Sequence, residues 1–145
     1  MPAIDFEKAS PEELYEQVMG LDEDEFEALM DDPDSRERAL GAIIDALVGL
    51  FRPDKAEGVE AVIHVKLWDR PEGGYDHYEL VIADQKCTLE TPPDRDPDLT
   101  LKVRPTDLRK MISGDSGPKR LALKGRLRAI GDLGLGMKLP DLFKI

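Results

Sequence analysis

The spacing of apolar residues changes near residue 58, and this change limits the possible folds more than any other feature of the chain. Between residues 35 and 51, apolar residues recur at intervals of three and four, which predicts a helix with a wide apolar face. From Val59 to Val103 the interval is two, as expected for half-buried strands. Because the chain has 145 residues, we expect a single α+β core, with helices on one face of a mainly antiparallel, five-stranded sheet.

Turn-forming residues divide the strand region into short segments. Pro71 to Gly74 and Asp84-Gln85 separate the first three strands, and a loop rich in proline and aspartate precedes the fourth. We expect these four strands to pair in sequence order, as a meander. A fifth strand is expected before a final helix that Asp132 can cap. The expected strands cover residues 59–67, 75–83, 86–91, 99–103 and 126–130.

The first 34 residues differ from the rest in charge, with thirteen acidic residues and one basic residue. Ser10, with proline next and Glu13 three residues on, has the pattern of a helix N-terminus closed by a capping box. A second acidic helix is expected from about Asp22. We therefore divide the chain into an acidic helical extension, residues 1–34, and a domain that covers residues 35–145.

Composition argues against several classes of function. The net charge of −11 argues against nucleic acid as a partner, because affinity for DNA and RNA comes largely from neutralising phosphates. The longest apolar stretch, Leu40 to Phe51, has twelve residues and contains Asp45, so it is too short to span a bilayer. The single cysteine, Cys87, and the lack of a signal-peptide pattern predict a cytoplasmic protein.

The signals for catalysis and metal binding are weak. Ser116 lies in Gly-Asp-Ser-Gly-Pro, which is similar to the nucleophile loop of trypsin-like serine proteases, but His64 and His77 lie in alternating strands without a supporting motif. The histidines and Cys87 lack the spacing of a zinc site, and Cys87 fits a small buried hydrophobe better than a reactive thiol. The glycines near residue 134 lack the Gly-x-Gly-x-x-Gly order of dinucleotide-binding loops. We therefore expect no enzymatic activity, no metal and no cofactor.

The C-terminal run from Gly131 to Phe143 has apolar residues on more than one side of any helix that it forms, so we expect apolar surroundings for it. Gly134 and Gly136 each cost about 0.5–1 kcal/mol in a helix relative to alanine, which indicates that small size is needed there. Either the small residues leave a cavity beneath the helix, or they allow close helix-to-sheet packing over a filled core.

Several segments of the C-terminal third follow one another with characteristic order and spacing: Ser113-Gly114, Pro118, Gly125 to Arg128, and Gly131 to Leu139. This pattern resembles the C-terminal signature of sterol carrier protein 2 domains. Upstream, the first strand, its glycine-containing hairpin and the fourth strand also fit the family. The resemblance covers roughly residues 36–145.

The resemblance implies an apolar tunnel between the sheet and the helices, which holds sterols, fatty acids or fatty acyl-CoA. It also implies a protein that moves or presents lipids without catalysis. Pro140 departs from the polar residue of animal members, and the last three residues are not a peroxisomal address. The ligand-binding residues implied by position are Leu108, Met111, Ile112, Leu121, Leu127, Leu133, Leu135, Met137, Leu139 and Phe143.

A cluster of basic residues lies in the same third of the chain. It is a candidate for contacting the phosphates of a ligand or an anionic membrane surface, although the pattern favours a solvated protein face. The basic residues are Lys119, Arg120, Lys124, Arg126 and Arg128.

A second function is compatible with the same pattern. A domain that has lost its cavity would act as a protein-interaction module and pair with a lipid-metabolising enzyme through the N-terminal helices. In that case Phe26, Leu29 and Met30, on an otherwise charged helix, would form the apolar contact patch.

Overall fold

The computed structural model describes residues 8–145, which form six α-helices and five strands. Each strand lies within two residues of its expected ends. No helix in this part of the chain has both the length and the apolar character needed to cross a bilayer. The helices are α1 (Pro11–Gly20), α2 (Glu23–Met30), α3 (Pro33–Gly49), α4 (Pro105–Ser113), α5 (Pro118–Leu123) and α6 (Leu133–Leu142). The strands are β1 (Ala61–Leu67), β2 (Asp76–Ala83), β3 (Lys86–Glu90), β4 (Leu99–Val103) and β5 (Leu127–Gly131).

The five strands form one mixed sheet in the order β3-β2-β1-β4-β5. Strands β1 and β4 are parallel, whereas the other three neighbouring pairs are antiparallel. The α+β class and the mainly antiparallel five-stranded sheet are therefore confirmed. The expected meander is wrong, because β4 pairs with β1 rather than with β3.

The loop between β3 and β4 crosses the sheet on the face opposite the helices, which is why β4 lies beside β1. On that face the fully buried Glu79 accepts hydrogen bonds from the backbone N–H of Arg95 at 2.9 Å and from its guanidinium at 2.7 Å. At the end of the loop, Asp98 Oδ2 accepts from the backbone N–H of Val62, and the Asp98 N–H donates to the Val62 carbonyl, both at 2.8 Å. These bonds fix the loop across β2 and β1.

The core lies between the sheet and the helices. Alternate residues of the central strands point towards the helices and are buried, as in Ile63 and Val65 of β1. Helix α3 packs over them with the apolar face that its spacing predicts. Its buried apolar residues are Ala39, Leu40, Ile43, Ile44 and Leu47.

A buried arginine ties the start of α3 to the sheet. Arg36 is only 2% exposed, and its Nε donates to Asp76 Oδ2 at 2.7 Å. A buried guanidinium is tolerated only when its donors find acceptors, and here backbone carbonyls supply them. These are the carbonyls of Leu67, Trp68 and Asp69.

The acidic helices α1 and α2 belong to the same core as the rest of the protein. Val18, Phe26 and Met30 are buried, and Leu29 packs against them. Arg109 of α4 donates to the Val18 carbonyl at 3.2 Å, and its guanidinium lies 4.3 Å from the centre of the Phe26 ring. The prediction of an exposed apolar patch on α2 is therefore wrong, because its largest side chains pack inward.

Candidate functional site

A small apolar cavity lies between the sheet and helices α3, α4 and α6, where the tunnel is expected. Its volume is about 20 Å³. Because a cavity of roughly 10–15 Å³ on this measure holds one water molecule, the space does not accommodate an acyl chain as it stands. The lining residues are all apolar, and they come from the strands, the helices and the last residues of the chain. They are Leu47, Ile63, Val65, Leu80, Leu101, Val103, Leu108, Met111, Leu139, Phe143 and Ile145.

The C-terminal residues contribute to the lining because they pair with the segment after α3. The Arg52 N–H donates to the Leu142 carbonyl at 2.7 Å, and the Lys144 N–H donates to the Leu50 carbonyl at 3.0 Å. The rings of Phe51 and Phe143 meet edge to face, with centroids 5.5 Å apart. These few contacts hold the end of the chain against the cavity.

The structure distributes the ten expected ligand-binding residues over three environments. Those that line the cavity are Leu108, Met111, Leu139 and Phe143. Those that are buried but lie outside the lining are Ile112, Leu121, Leu127 and Leu135. Leu133 and Met137 are 62% and 82% exposed, respectively. The expectation that these two line an internal tunnel does not fit this placement, because α6 turns one side of its apolar surface to solvent.

The glycines of α6 do not border the cavity. Gly134 is exposed, and a methyl group added to Gly136 would make an ordinary contact with Leu99 at 3.8 Å. Neither explanation for these glycines fits the structure, because Gly134 faces solvent and the position of Gly136 has room for a methyl group. The structure does explain the glycine just before the helix. Gly131 has a φ of +116°, and a Cβ there would collide with the carbonyl oxygen of Asp98.

The two histidines form a hydrogen-bonded chain on the face of the sheet that carries the crossing loop. His64 Nε2 lies 3.0 Å from Glu79 Oε1, and His77 Nε2 lies 2.8 Å from His64 Nδ1. Burial, together with His64 and Lys66, lowers the pKa of His77. Burial alone would raise the pKa of Glu79, but hydrogen bonds from Arg95 and His64 outweigh it and lower that pKa.

The other candidate residues are not assembled into a reactive site. Both ring nitrogens of His64 are engaged, by Glu79 and by His77. Ser116 lies in the turn after α4, where its backbone N–H donates to the Lys110 carbonyl. Within residues 8–145 no group of three or more potential ligands could hold a metal ion. Burial raises the pKa of the Cys87 thiol to about 11, so the thiol is protonated near neutral pH.

Sequence reasoning missed the part of the lining that comes from the sheet. Ile63, Val65, Leu80 and Leu101 carry the alternation that predicts the strands, and the same alternation puts them on the helix-facing side. That signal could have placed them in the site. Ile145 carries no such signal, because its position depends on the pairing of the chain end with residues 50–52.

The fold and the cavity define a sheet-and-helix domain with an apolar internal site. Residues 46–144 match the model of the SCP-2 sterol transfer family. The chain therefore belongs to that family, as the resemblance predicts.

The chain is also similar to known proteins in sequence or in fold. Sterol carrier protein 2 of Gallus gallus is 26% identical over 84 residues, which are 58% of this chain and 15% of that protein. Among solved structures, palmitated SCP2L2 of Aedes aegypti has a TM-score of 0.55 at 20% identity, with 68% of this chain and 88% of that chain covered. The sec-alkylsulfatase Pisa1 of Pseudomonas sp. has a TM-score of 0.54 at 16% identity, with 77% of this chain but 16% of the enzyme covered. The chain thus spans a small part of the first and the last of these proteins.

Proposed function

We propose that this protein binds and carries lipids, and that the hydrocarbon of the ligand occupies the space between the sheet and α6. The observation that carries the proposal is the apolar cavity, whose lining residues come from three helices and three strands that surround one point of the core. Membership of the SCP-2 sterol transfer family supports it. So does the palmitated structure of the Aedes aegypti neighbour, which has the same fold.

Binding requires the cavity to expand, because its present volume is about 20 Å³. Helix α6 is the element best suited to move away from the sheet. It contains Gly134 and Gly136, which weaken a helix, and Pro140, which lacks a backbone N–H. Two backbone hydrogen bonds and the ring contact between Phe51 and Phe143 hold its C-terminal end. Each methylene transferred from water contributes about 0.8 kcal/mol, so a long chain can offset the loss of these contacts.

We propose fatty acyl chains rather than sterols as the preferred ligands. A flexible chain can enter an expanding cavity one methylene at a time, whereas a rigid ring system needs its whole volume at once. We also propose that the protein carries lipids in the cytoplasm and does not catalyse a reaction on them. The engaged nitrogens of His64 support carriage without catalysis, because neither of them is free to act as a general base for Ser116.

The proposal is tested by displacement of a fluorescent fatty acid and by native mass spectrometry with palmitate and cholesterol. We expect one palmitate per chain and weaker binding of cholesterol. Leu139→Phe adds bulk inside the cavity and should weaken palmitate binding by tenfold or more. Met137→Phe, on the exposed side of the same helix, is the matched control and should leave binding unchanged. Absence of binding for both lipids, or equal loss in the two variants, would contradict the proposal.

A further inference from the structure

The loop between β3 and β4 covers only part of the sheet face opposite the helices, which we name the outer face. Its hydrogen bonds reach Glu79 on β2 and Val62 on β1. Because alternate residues of a strand share a side, the same face of β1 continues to Lys66 and then to Trp68. This second part of the outer face lies at the surface, and Trp68 is 36% exposed.

The strand register places three basic side chains next to one another on this part of the outer face. Lys66 of β1 lies opposite Lys102 of the parallel strand β4, and Lys102 lies opposite Arg128 of the antiparallel strand β5. Neighbouring strands are about 4.8 Å apart, so these three residues, which we name the cation row, extend over roughly 10 Å. Within residues 8–145 none of the three forms an ion pair with a carboxylate.

The cation row is unfavourable for the sheet as long as nothing anionic covers it. Like charges directly opposite each other on neighbouring strands are destabilising. Other charges of this region are compensated: Glu79 is bound by Arg95, and Arg104, two residues after Lys102, pairs with Asp69. A local exception of this kind is expected where function requires it, and uncompensated cations attract an anionic partner.

Two exposed aromatic side chains border the cation row and hold its lysines in place. Lys66 Nζ lies 4.7 Å from the centre of the Tyr75 ring, and Lys102 Nζ lies 5.3 Å from the centre of the Trp68 ring. The two rings meet edge to face, with centroids 5.3 Å apart. Tryptophan, tyrosine and arginine are the residue types that contribute most to the binding energy of protein interfaces. The row and the two rings therefore form a prearranged binding surface.

The chain itself covers the other part of the outer face with an acidic segment. The loop that crosses there carries aspartates at alternate positions, Asp94, Asp96 and Asp98. In an extended chain, alternate side chains are about 6.7 Å apart, so two or three alternate carboxylates match the length of the cation row. A short segment experiences mainly the local positive charge, because charges beyond about 10 Å are screened, whereas a long polyanion or an anionic membrane also meets the net charge of −11.

We infer that the cation row binds an extended acidic segment of another protein. Alternate carboxylates of that segment face the three cations, and its chain packs against Trp68 and Tyr75. The inference is independent of lipid binding, because the row and the apolar cavity lie on opposite faces of the sheet.

The inference is tested on the intact protein with a peptide in which glutamate and threonine alternate, each five times. Trp68 is the single tryptophan of the chain, so its fluorescence reports on the surface beside the row. The peptide should change this emission saturably, and binding should weaken as salt screens the charges. The same peptide with glutamine in place of glutamate should bind at least tenfold more weakly. Equal binding of the two peptides would overturn the inference.

The matched variants remove two charges inside or outside the row. Lys66→Gln with Lys102→Gln should weaken binding of the glutamate peptide at least tenfold, whereas Lys119→Gln with Arg120→Gln, on exposed positions of α5, should weaken it less than threefold. Arg128→Gln alone, at an exposed position of the edge strand β5, should weaken it at least threefold, and it carries the test if the first double variant does not fold. Thermal melting checks the fold of each variant. Equal losses in the two double variants would overturn the inference.

Two further measurements test the other occupants of the cation row. If a ten-nucleotide uridylate binds at least tenfold more tightly than the peptide, and the row variants lose that binding, the row is a nucleic-acid site and the inference is overturned. A dimer in sedimentation experiments that Lys66→Gln with Lys102→Gln abolishes would assign the row to a second copy of the chain, and would also overturn it. Saturable binding of the glutamate peptide that only the row variants lose supports the inference.

Discussion

Truncation of Leu139 distinguishes a cavity that must expand from a tunnel that is already open. Leu139 is buried on α6 and lines the cavity. Leu139→Ala removes three carbon atoms from the space that a ligand chain would otherwise have to clear. If binding requires expansion, the variant should be less stable than the parent protein and should nevertheless bind palmitate more tightly.

The two effects can be estimated. A buried leucine replaced by alanine usually costs about 2–5 kcal/mol of folding free energy, through lost contacts and the cavity left behind. In the variant, the ligand no longer has to displace the three removed carbon atoms from the core. At about 0.8 kcal/mol per methylene, this lowers the free-energy cost of opening the cavity by at most about 2.4 kcal/mol. That energy converts to an increase in palmitate affinity of up to roughly 50-fold.

The assay combines urea unfolding with titration of palmitate, both at 25 °C. Leu121→Ala is the matched control, because Leu121 is 1% exposed but does not line the cavity. It should lose similar stability with no gain in affinity. If Leu139→Ala binds palmitate more weakly than the parent protein, the reasoning is refuted, because Leu139 is then a contact in a preformed site. Unchanged affinity would show that the palmitate chain does not occupy the cavity beside Leu139.

Three further predictions concern stability. Arg36→Met should lower the free energy of unfolding, measured in urea, by about 3–5 kcal/mol, because it removes the donor to the partly buried Asp76 and to three backbone carbonyls. A loss below about 1 kcal/mol would contradict the structural role of these bonds. Because the pKa of His77 is lowered in the folded protein, the unfolded chain binds its proton more readily, so stability should fall as the pH falls below about 6.5. His77→Gln should flatten that part of the pH profile of the unfolding free energy, and an unchanged profile would show that another group is responsible. Gly131→Ala should reduce folding stability by more than about 1 kcal/mol, because of the positive φ and the collision with Asp98. Gly41→Ala, in open space on α3, should instead increase folding stability by about 0.5–1 kcal/mol. Thermal melts that rank the two variants in the opposite order would contradict this reasoning.

The strands could be predicted from sequence because each alternation is local, but their order could not. The parallel pair of β1 and β4 depends on the loop that crosses the sheet, and that loop is held by the bond of Arg95 to Glu79, sixteen residues earlier. Nothing in the local pattern distinguishes a loop that crosses from one that turns back. The meander was the simpler of two arrangements with the same strands.

For the site, the sequence identified α6 as an apolar helix but not which side of it faces inward. Leu135, Leu139 and Leu142 recur at helical spacing and are buried, whereas Leu133 and Met137 lie on the other side and are exposed. Because all five are apolar, their pattern does not select a face; the position of α6 against β4 and β5 does.

The burial of Arg36 could not be predicted from the sequence for a related reason. Its partners are one side chain and three backbone carbonyls that lie 31 to 40 residues further along the chain. A buried arginine bound to carbonyls has the same local sequence as an exposed one on a charged helix. The bonds become visible only when α3 and the end of β1 are placed together.

The most direct test of the account is nuclear magnetic resonance of the protein with ¹³C-labelled palmitate, read as nuclear Overhauser contacts between the chain and protein methyl groups. Occupation of the expanded interior predicts contacts to Val65, Met111 and Leu139. Contacts restricted to exposed side chains such as Leu133 and Met137, with the interior methyl signals unmoved, would contradict it.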